Sequence, residues 1–482
     1  MTTTGHVPSY LRGHLAPVPD EITVRDLPVT GSLPPELTGR YLRNGPNPLP
    51  GHDPGHWFAG AGMLHGIRLG DGRAEWYRNR WVRTRLLEGA PHIRPDGSFD
   101  LTVGPANTHV IEHAGRILAL AESSVPYVVT PELETVGPDD FGGRLTTAMT
   151  AHPKTDPVTG DLHFFGYGVL PPYLTYHRLS AAGELVTSAE IEVGAPSMMH
   201  DFAITDRHAV FLDLPMTFRM ADAQRGVLPF RWDDDYGARL GVMPLDRPGE
   251  VRWFEIDPCY VFHVGNAHTD DHGRIVVDGA RYAPADIAVM WPSLGDDPAG
   301  PAATGAASGQ ATLHRWVLDP ADGSVSESRL SELGCEFPTV DDDAVGRFHR
   351  YTYAVADTGP AGERRAAVLR HDRSLDEVAA HELGGDVVAG EAVFVPSAAA
   401  DRAEDDGWLL SIITTRDGRA SELLVLDATD VAGAPVARVR LPRGVPSGFH
   451  GSWLPDRNPG LTGPATTDTG APDAPADQRK LA

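Results

Sequence analysis

The sequence is poor in cysteine and in basic residues, and it has no apolar run approaching the roughly 18 residues of a membrane span. It has 41 Lys and Arg but 66 Asp and Glu, so its formal net charge is −25, which argues against nucleic acid as a partner. Two cysteines in 482 residues provide no disulfide framework. The first residues lack the basic and apolar segments of a secretion signal. We therefore expect a cytoplasmic protein, and leave peripheral membrane contact open.

Turn residues are abundant, with 52 Gly and 42 Pro. Short apolar runs alternate with these turns about every 10 residues, and long amphipathic helical patterns are missing between them. Typical runs follow a Gly-containing turn, for example residues 116–120, 162–165, 274–277 and 408–413. This pattern predicts an all-β fold.

One unit recurs along the chain: a histidine in an apolar run, then a polar turn, then a strand-like run. The clearest copy is the segment SMMHDFAIT at residues 197–205, which carries His200. Similar copies carry His152 and His263, and a looser one carries His450. The spacings are 48, 63 and 187 residues, the last being roughly three further units. A unit of this length indicates the four-stranded blades of a propeller, whose inner strands converge on one axis.

Four imidazoles at equivalent positions would therefore meet at that axis. A single buried histidine is more often a hydrogen-bonded core residue than a metal ligand, but the shared position favours ligation here. Neutral imidazole binds Fe, Zn, Cu and Ni. Four such ligands leave two open positions on an octahedral ion, which a closed tetrahedral zinc site lacks. The sequence therefore predicts a metal site that binds O₂ or substrate.

Ligating histidines normally donate their second ring N–H to an acceptor. Carboxylates inside otherwise apolar runs are the candidates, because an unpaired buried carboxylate is costly. Three residues fit this description, namely Glu122, Glu336 and Glu391. The alternative for each is a surface charge at a strand end.

The chain divides into three parts in this interpretation. Residues 1–35 form an N-terminal arm, residues 36–458 a single catalytic propeller, and residues 459–482 a disordered low-complexity tail. Residues 298–311 are predicted to be a flexible loop. The insertion at 214–232, rich in Met, Phe, Leu and Trp, is either a flap over the core or an apolar mouth for peripheral membrane contact.

Several motifs of this chain together resemble the carotenoid cleavage oxygenase family, iron-dependent enzymes that split conjugated double bonds with O₂. They run in the family's order over nearly the whole chain: GRYLRNGPNP at 39–48, HWF at 56–58, GMLHG at 62–66, TAHP at 150–153, MHDFAIT at 199–205, YVFH at 260–263, EFP at 336–338, GEAVF at 390–394 and FHG at 449–451.

The resemblance implies a seven-bladed β-propeller capped by a dome of loops and helices. It implies that one Fe²⁺ per chain is bound by His152, His200, His263 and His450, and that three of them are oriented by the glutamates Glu122, Glu336 and Glu391. O₂ is then the co-substrate and an apolar polyene, a carotenoid or apocarotenoid, the substrate. Thr108 matches a position beside the open iron site in the family. The alternative is that Thr108 is an ordinary threonine of a β-strand with no role at the iron site.

Two departures from the family pattern bear on the substrate. The family's FDGDG is FAGAG at residues 58–62, which removes two acidic side chains and could alter the mouth of the tunnel. Members that cleave hydroxylated stilbenes carry a lysine directly before the first glutamate, where this chain has Ala121. A carotenoid or apocarotenoid is therefore the favoured substrate, and a stilbene or another phenylpropanoid is the alternative. A non-catalytic propeller that binds a metal ion remains the alternative of another class.

Overall fold

The computed structural model of this chain describes residues 7–96, 98–225, 228–295, 309–359 and 363–456. In these residues seven antiparallel sheets of four or more strands form the blades of a propeller. The predicted all-β class and seven-bladed architecture are therefore confirmed.

Five blades are four-stranded and are built in chain order from the axis outwards. Blade 2 comprises His109–His113, Arg116–Leu120, Tyr127–Val129 and Thr135–Pro138. Blade 3 comprises Lys154–Thr155, Leu162–Tyr167, Leu174–Leu179 and Leu185–Ile191. Blade 4 comprises Phe202–Ile204, His208–Asp213, Arg239–Pro244 and Arg252–Glu255. Blade 5 comprises Tyr260–Thr269, Ile275–Tyr282, Thr312–Leu318 and Val325–Gly334. Blade 6 comprises Glu336–Thr339, Tyr351–Thr358, Arg365–Asp372 and Glu377–Gly384.

The two remaining blades join the ends of the chain and close the ring. Blade 1 comprises, from the axis outwards, Gly451–Pro455, Gly39–Pro46, Gly62–Gly70, Arg73–Trp81 and Thr23–Arg25. Blade 7 comprises Val387–Ala389 with Val393–Pro396, Gly407–Thr415, Ser421–Asp427, Ala437–Arg440 and Val29–Gly31. The C-terminal strand is thus the innermost strand of the first blade, and N-terminal strands cover the outer edges of two blades. This pairing protects edges that would otherwise be exposed.

The hairpin turns follow from the local sequence. His113 pairs with Arg116, so the loop between them has only two residues. Both loop residues, Ala114 and Gly115, have positive φ (50° and 74°), as the type I′ turn of a right-handed hairpin requires. Asp71 and Gly72 close another two-residue turn in the same way (50° and 69°).

Aromatic side chains fill the space between neighbouring blades. Phe165 and Tyr176 of blade 3 pack against Phe202 and Phe211 of blade 4, and all four are fully or almost fully buried. The rings of Phe165 and Phe202 meet edge to face with centroids 5.3 Å apart, a favoured aromatic geometry. Such clusters hold the inner strands at fixed positions around the axis.

Short elements outside the blades cover one face of the propeller. They include the α-helices Met220–Gln224 and Pro284–Ser293 and the strand pair Met216–Phe218 and Phe230–Trp232. Short 3₁₀ turns lie at Ser9–Leu11, Gly13–Leu15, Trp57–Ala59 and Asp342–Ala344. The described residues of the insertion, 214–225 and 228–232, form part of this cover: Phe230 packs on the core, whereas Met220 is 56% exposed. Contact of this segment with a membrane stays a prediction.

The predicted division into arm, propeller and tail also stays a prediction. Strands Thr23–Arg25 and Val29–Gly31 run along outer blade edges, whereas residues 459–482 lie outside the described residues. Most of the predicted loop at 298–311 does so too. Among the helices of the described part, none has both the length and the apolar character to cross a bilayer.

Candidate metal centre

The four predicted histidines lie at the axis, each on or next to the innermost strand of a different blade. His152 precedes the inner strand of blade 3, and His200 precedes that of blade 4. His263 lies within the inner strand of blade 5, and His450 directly precedes that of blade 1. Residues separated by up to 298 positions in the chain are thus neighbours in space.

The ring nitrogens of these histidines form one compact cluster. Each side chain offers one nitrogen, and these atoms all lie within 4.8 Å of one another. The Nε2 atoms of His152 and His200 are 2.9 Å apart. The ring centroids of His152 and His450 are 4.5 Å apart, and those of His263 and His450 are 4.8 Å apart.

The three predicted glutamates accept hydrogen bonds from three of these rings. The distances from the ring Nδ1 atoms to the carboxylate oxygens are 2.7 Å for His200 and Glu122, 2.6 Å for His263 and Glu336, and 3.0 Å for His450 and Glu391. Each Nδ1–H donates to its carboxylate, which leaves the Nε2 lone pair directed to the centre. In the part of the chain the structure describes, no carboxylate hydrogen-bonds the ring of His152.

The glutamates come from the blades that supply no histidine. Glu122 follows the second strand of blade 2, Glu336 begins the inner strand of blade 6, and Glu391 lies between the two inner strands of blade 7. All seven blades therefore contribute one side chain to the centre. This distribution explains why the site-bearing units are spread over nearly the whole sequence.

Burial sets the charge of the histidines. It lowers the pKa of His450 to about 3, despite the opposing effect of Glu391. Burial also lowers the pKa of His152 well below its ordinary value, and the neighbouring histidines add to this effect. For His263 burial acts in the same direction, but the Glu336 carboxylate outweighs it and raises the pKa overall. At neutral pH, His152 and His450 are therefore neutral donors, the form that metal binding requires.

The donor set fits a divalent transition-metal ion. Imidazole nitrogens bind such ions at about 2.1 Å, so adjacent donors on one octahedral ion are about 3.0 Å apart and opposite donors about 4.2 Å. The His152–His200 separation of 2.9 Å matches adjacent donors. The four imidazoles suit Fe, Zn, Cu or Ni and bring no negative charge themselves.

An apolar cavity of about 980 Å³ opens onto the centre. Its wall contains His200, His263 and His450 together with many apolar and aromatic side chains, among them Trp57, Phe58, Leu228, Phe230, Met290, Leu294, Phe337 and Phe449. Ala59 and Ala61 also line it. These are the two positions where the family pattern has acidic residues, so their replacement makes this wall more apolar.

Thr108 lies on the same wall, next to His450. Its backbone carbonyl accepts a hydrogen bond from the His450 amide at 3.1 Å, and its hydroxyl donates to Asn107 Oδ1 at 3.0 Å. The side chain is 8% exposed and lines the apolar cavity. Its role beside the metal stays a prediction.

Two residues that sequence reasoning missed support the centre. Tyr167 donates its hydroxyl to Glu122 at 2.7 Å and so fixes the partner of His200. The half-buried His109 donates Nδ1–H to the Ala151 carbonyl at 2.9 Å, and its ring centroid is 5.1 Å from that of His450. His109 begins the inner strand of blade 2, so its place in the repeat was the available signal.

The similarity of this chain to known proteins covers the whole propeller. Residues 15–455 match the family described as Retinal pigment epithelial membrane protein. The chain is 38% identical to the carotenoid cleavage oxygenase of Mycobacterium tuberculosis, over 92% of this chain and 97% of that protein. The crystal structure of the lignostilbene dioxygenase of Pseudomonas brassicacearum is similar, with a TM-score of 0.81, 29% identity and coverage of 94% and 100% of the two chains. Cobalt-substituted apocarotenoid oxygenase (ACO) of Synechocystis is also similar, with a TM-score of 0.78, 29% identity and coverage of 91% and 97%.

Proposed function

We propose, from the premise that this chain belongs to the carotenoid cleavage oxygenase family, that it splits one conjugated C=C bond of a carotenoid or apocarotenoid with O₂. The chain is an enzyme of the dioxygenase type. The products are two carbonyl compounds. One observation carries the proposal: a cluster of four imidazoles lies at the end of an apolar cavity of about 980 Å³.

The four histidines would hold one Fe²⁺, and no carboxylate of the described residues would bind it directly. Such an ion, when bound, supplies the activation of O₂ that the protein's own side chains lack. Glu122, Glu336 and Glu391 hold three of the imidazoles in the tautomer that points Nε2 at the ion. Tyr167 supports this arrangement through its bond to Glu122.

The apolar wall has two tasks in this proposal. It binds the polyene by burying its apolar surface, and it positions one double bond beside the centre. Phe58 and Phe449 meet edge to face with ring centroids 5.4 Å apart, so this part of the wall is firmly packed. The same surface excludes water, which would otherwise compete for the open positions.

A second candidate substrate is a stilbene or another phenylpropanoid. The structural similarity to lignostilbene dioxygenase supports it. Ala121 opposes it, because this position lines the apolar cavity next to Glu122 and provides no cation for a phenol. We therefore place the polyene first. The third alternative, a propeller that binds a metal and an apocarotenoid without cleaving it, would leave both substrates intact.

A substrate panel tests this proposal. The iron-loaded protein is incubated in air with β-carotene, an apocarotenal and a hydroxylated stilbene, and the products are identified by mass spectrometry. We expect a pair of carbonyl products from a polyene and none from the stilbene. Cleavage of the stilbene alone would favour the second candidate. Intact substrates at one iron per chain would favour the binding module.

A further inference from the structure

A second cavity, of about 590 Å³, meets the four histidines from another side. His263 and His450 line both cavities, whereas His200 lines only the apolar one and His152 only the second one. The histidine cluster therefore separates two spaces. We name the second space the polar cavity. It is bounded by the inner strands and by the short turn Asp342–Ala344.

The wall of the polar cavity is strongly acidic. Its only Lys or Arg among the described residues is Lys154. Its carboxylates are Glu36, Glu112, Asp201, Asp341, Asp342, Asp343 and Glu391. Lys154 is neutralised by Asp201 at 2.8 Å, and Arg402, which lies outside this wall, contacts Asp341 and Asp343 at 2.6 Å and 2.7 Å. The cavity thus keeps an excess of negative charge.

Asp342 is a carboxylate of this wall whose charge is not compensated by an ion pair within the described ranges. The side chain is exposed to the cavity, and no hydrogen-bond or ion-pair partner for it is present in the described residues. An exposed carboxylate is ionised at pH 7. Asp342 therefore faces the cavity as an anion without a counter-ion.

The apolar cavity is a poor path for a metal ion. A hydrated divalent cation would have to lose water along a wall that is mostly apolar, with many Phe, Trp, Leu and Met side chains, at a large desolvation cost. The polar cavity lets the ion keep water and lowers its energy through negative charge. Clefts lined by charge of one sign raise the local concentration of the opposite ion and its on-rate by about 10- to 1,000-fold.

We infer that the polar cavity is the route by which a hydrated divalent cation reaches the four histidines, and that Asp342 draws the ion along it. The polyene and the metal would then use opposite sides of the centre. His152, His263 and His450, which line the polar cavity, would meet the arriving ion before His200 does. This inference rests on the proposed role of the four histidines as a metal centre.

Uptake kinetics of Co²⁺ test the electrostatic part of this inference. Metal-free protein is mixed with Co²⁺ at low ionic strength, and uptake is followed by the visible absorption of the bound ion. We expect Asp342→Asn to slow uptake about fivefold, because one unit of charge facing a divalent ion is lost. The difference should shrink in about 1 M salt, where charges are screened within about 3 Å. Glu192→Gln, the same loss of charge at an exposed site outside both cavities, should take up Co²⁺ at the wild-type rate.

A steric block tests the route itself. Thr155 is exposed and lines the polar cavity, so Thr155→Cys can be labelled there with a bulky maleimide. The native Cys259 and Cys335 are buried, and burial raises the pKa of each thiol to about 12. Because Cys335 also lines the apolar cavity, wild-type protein treated with the same maleimide is the control. Labelling should slow Co²⁺ uptake at least tenfold and leave binding of an apocarotenal unchanged. An apocarotenal that fills the apolar cavity should not slow uptake.

The outcomes separate the route from the metal centre. Co²⁺ bound at one ion per chain, together with unchanged uptake rates in Asp342→Asn and in the labelled variant, would overturn the route but keep the centre. Uptake blocked by the apocarotenal would overturn the route too. Failure of the wild-type protein to bind Co²⁺ would overturn both proposals.

Discussion

The Nε2 atoms of His152 and His200 lie 2.9 Å apart, although 48 residues separate them in the chain. Two imidazoles at this spacing can make one N–H···N hydrogen bond or can bind one ion together. His200 donates Nδ1–H to Glu122 at 2.7 Å, so the tautomer with this bond offers its Nε2 lone pair to a metal ion. The pair is therefore arranged to accept a common cation.

Replacing His200 by Ala should abolish both metal binding and cleavage. The variant loses one of four donors and leaves the Glu122 carboxylate without its ring partner. We expect less than one-tenth of the wild-type iron content by elemental analysis, and no carbonyl products. His272→Ala, at an exposed hairpin turn, is the control and should keep both. A His200→Ala protein with full iron content would refute the assignment of this residue as a ligand.

Replacing Glu336 should weaken metal binding without removing a ligand. Glu336 Oε2 accepts from His263 Nδ1 at 2.6 Å and from the Phe337 amide at 2.7 Å, so it fixes the ring. For Glu336→Ala we expect about a 10- to 100-fold loss of Co²⁺ affinity, measured by competition with a chelator. Glu336→Gln keeps an oxygen acceptor and should lose less.

Glu192→Gln is the charge control for the Glu336 variants. It removes the same charge from an exposed site and should bind Co²⁺ as tightly as the wild type. Equal affinities of wild type and Glu336→Ala would show that this carboxylate does not tune the centre.

Much of the centre could be predicted from the sequence because residues at equivalent positions of successive propeller blades lie at similar distances from the axis. His152, His200 and His263 lie within or just before the inner strands of their repeats. Because inner strands meet at the axis, the repeat alone predicts that these histidines meet. Glu391 was accessible by another argument: a carboxylate within an apolar run needs a buried partner, and His450 is that partner at 3.0 Å.

The polar cavity could not be predicted in this way. Asp341, Asp342 and Asp343 form an acidic run that looks like an ordinary solvated turn. Only the closure of the ring turns this segment toward the axis, where it faces residues from other blades. Tyr167 escaped prediction for a similar reason, since its bond to Glu122 joins blades 2 and 3 and has no counterpart in the repeat.

A lysine at position 121 should change substrate preference. Ala121 is 3% exposed and lines the apolar cavity beside Glu122. Ala121→Lys places an ammonium group against the polyene, and burying that charge should lower kcat/KM for an apocarotenal at least about tenfold. Binding of a hydroxylated stilbene should improve, because the phenol gains a charged partner.

The matched variant for this experiment is Ala121→Met, which has similar length and no charge. It should affect apocarotenal cleavage less than Ala121→Lys when both proteins carry the same amount of iron. Equal losses in the two variants would show that bulk, rather than charge, determines the effect at this position.

Buried neutral histidines outside the centre should make the fold sensitive to acid. His177 is 1% exposed, and its ring is bonded to Ser188 Oγ at 2.8 Å and to Thr147 Oγ1 at 2.9 Å. Burial lowers its pKa to about 4, whereas an unfolded histidine titrates near 6.5. Between these values the unfolded state binds a proton that the folded state does not. The free energy of unfolding therefore falls as the pH drops below about 6.5, by about 2 kcal/mol at pH 5 from this residue.

His177→Gln should reduce that dependence on pH. Glutamine keeps hydrogen-bonding groups but does not titrate, so the variant loses some stability at pH 7 through imperfect packing against Phe164 and loses less on going to pH 5. Urea unfolding of metal-free protein at pH 7 and pH 5 measures both values and avoids an effect of metal release. His272→Gln changes an exposed histidine and should leave the difference between the two pH values as in the wild type. A buried neutral ring that resists protonation must contribute to this difference. If His177→Gln leaves the difference unchanged, the acid sensitivity arises from other groups.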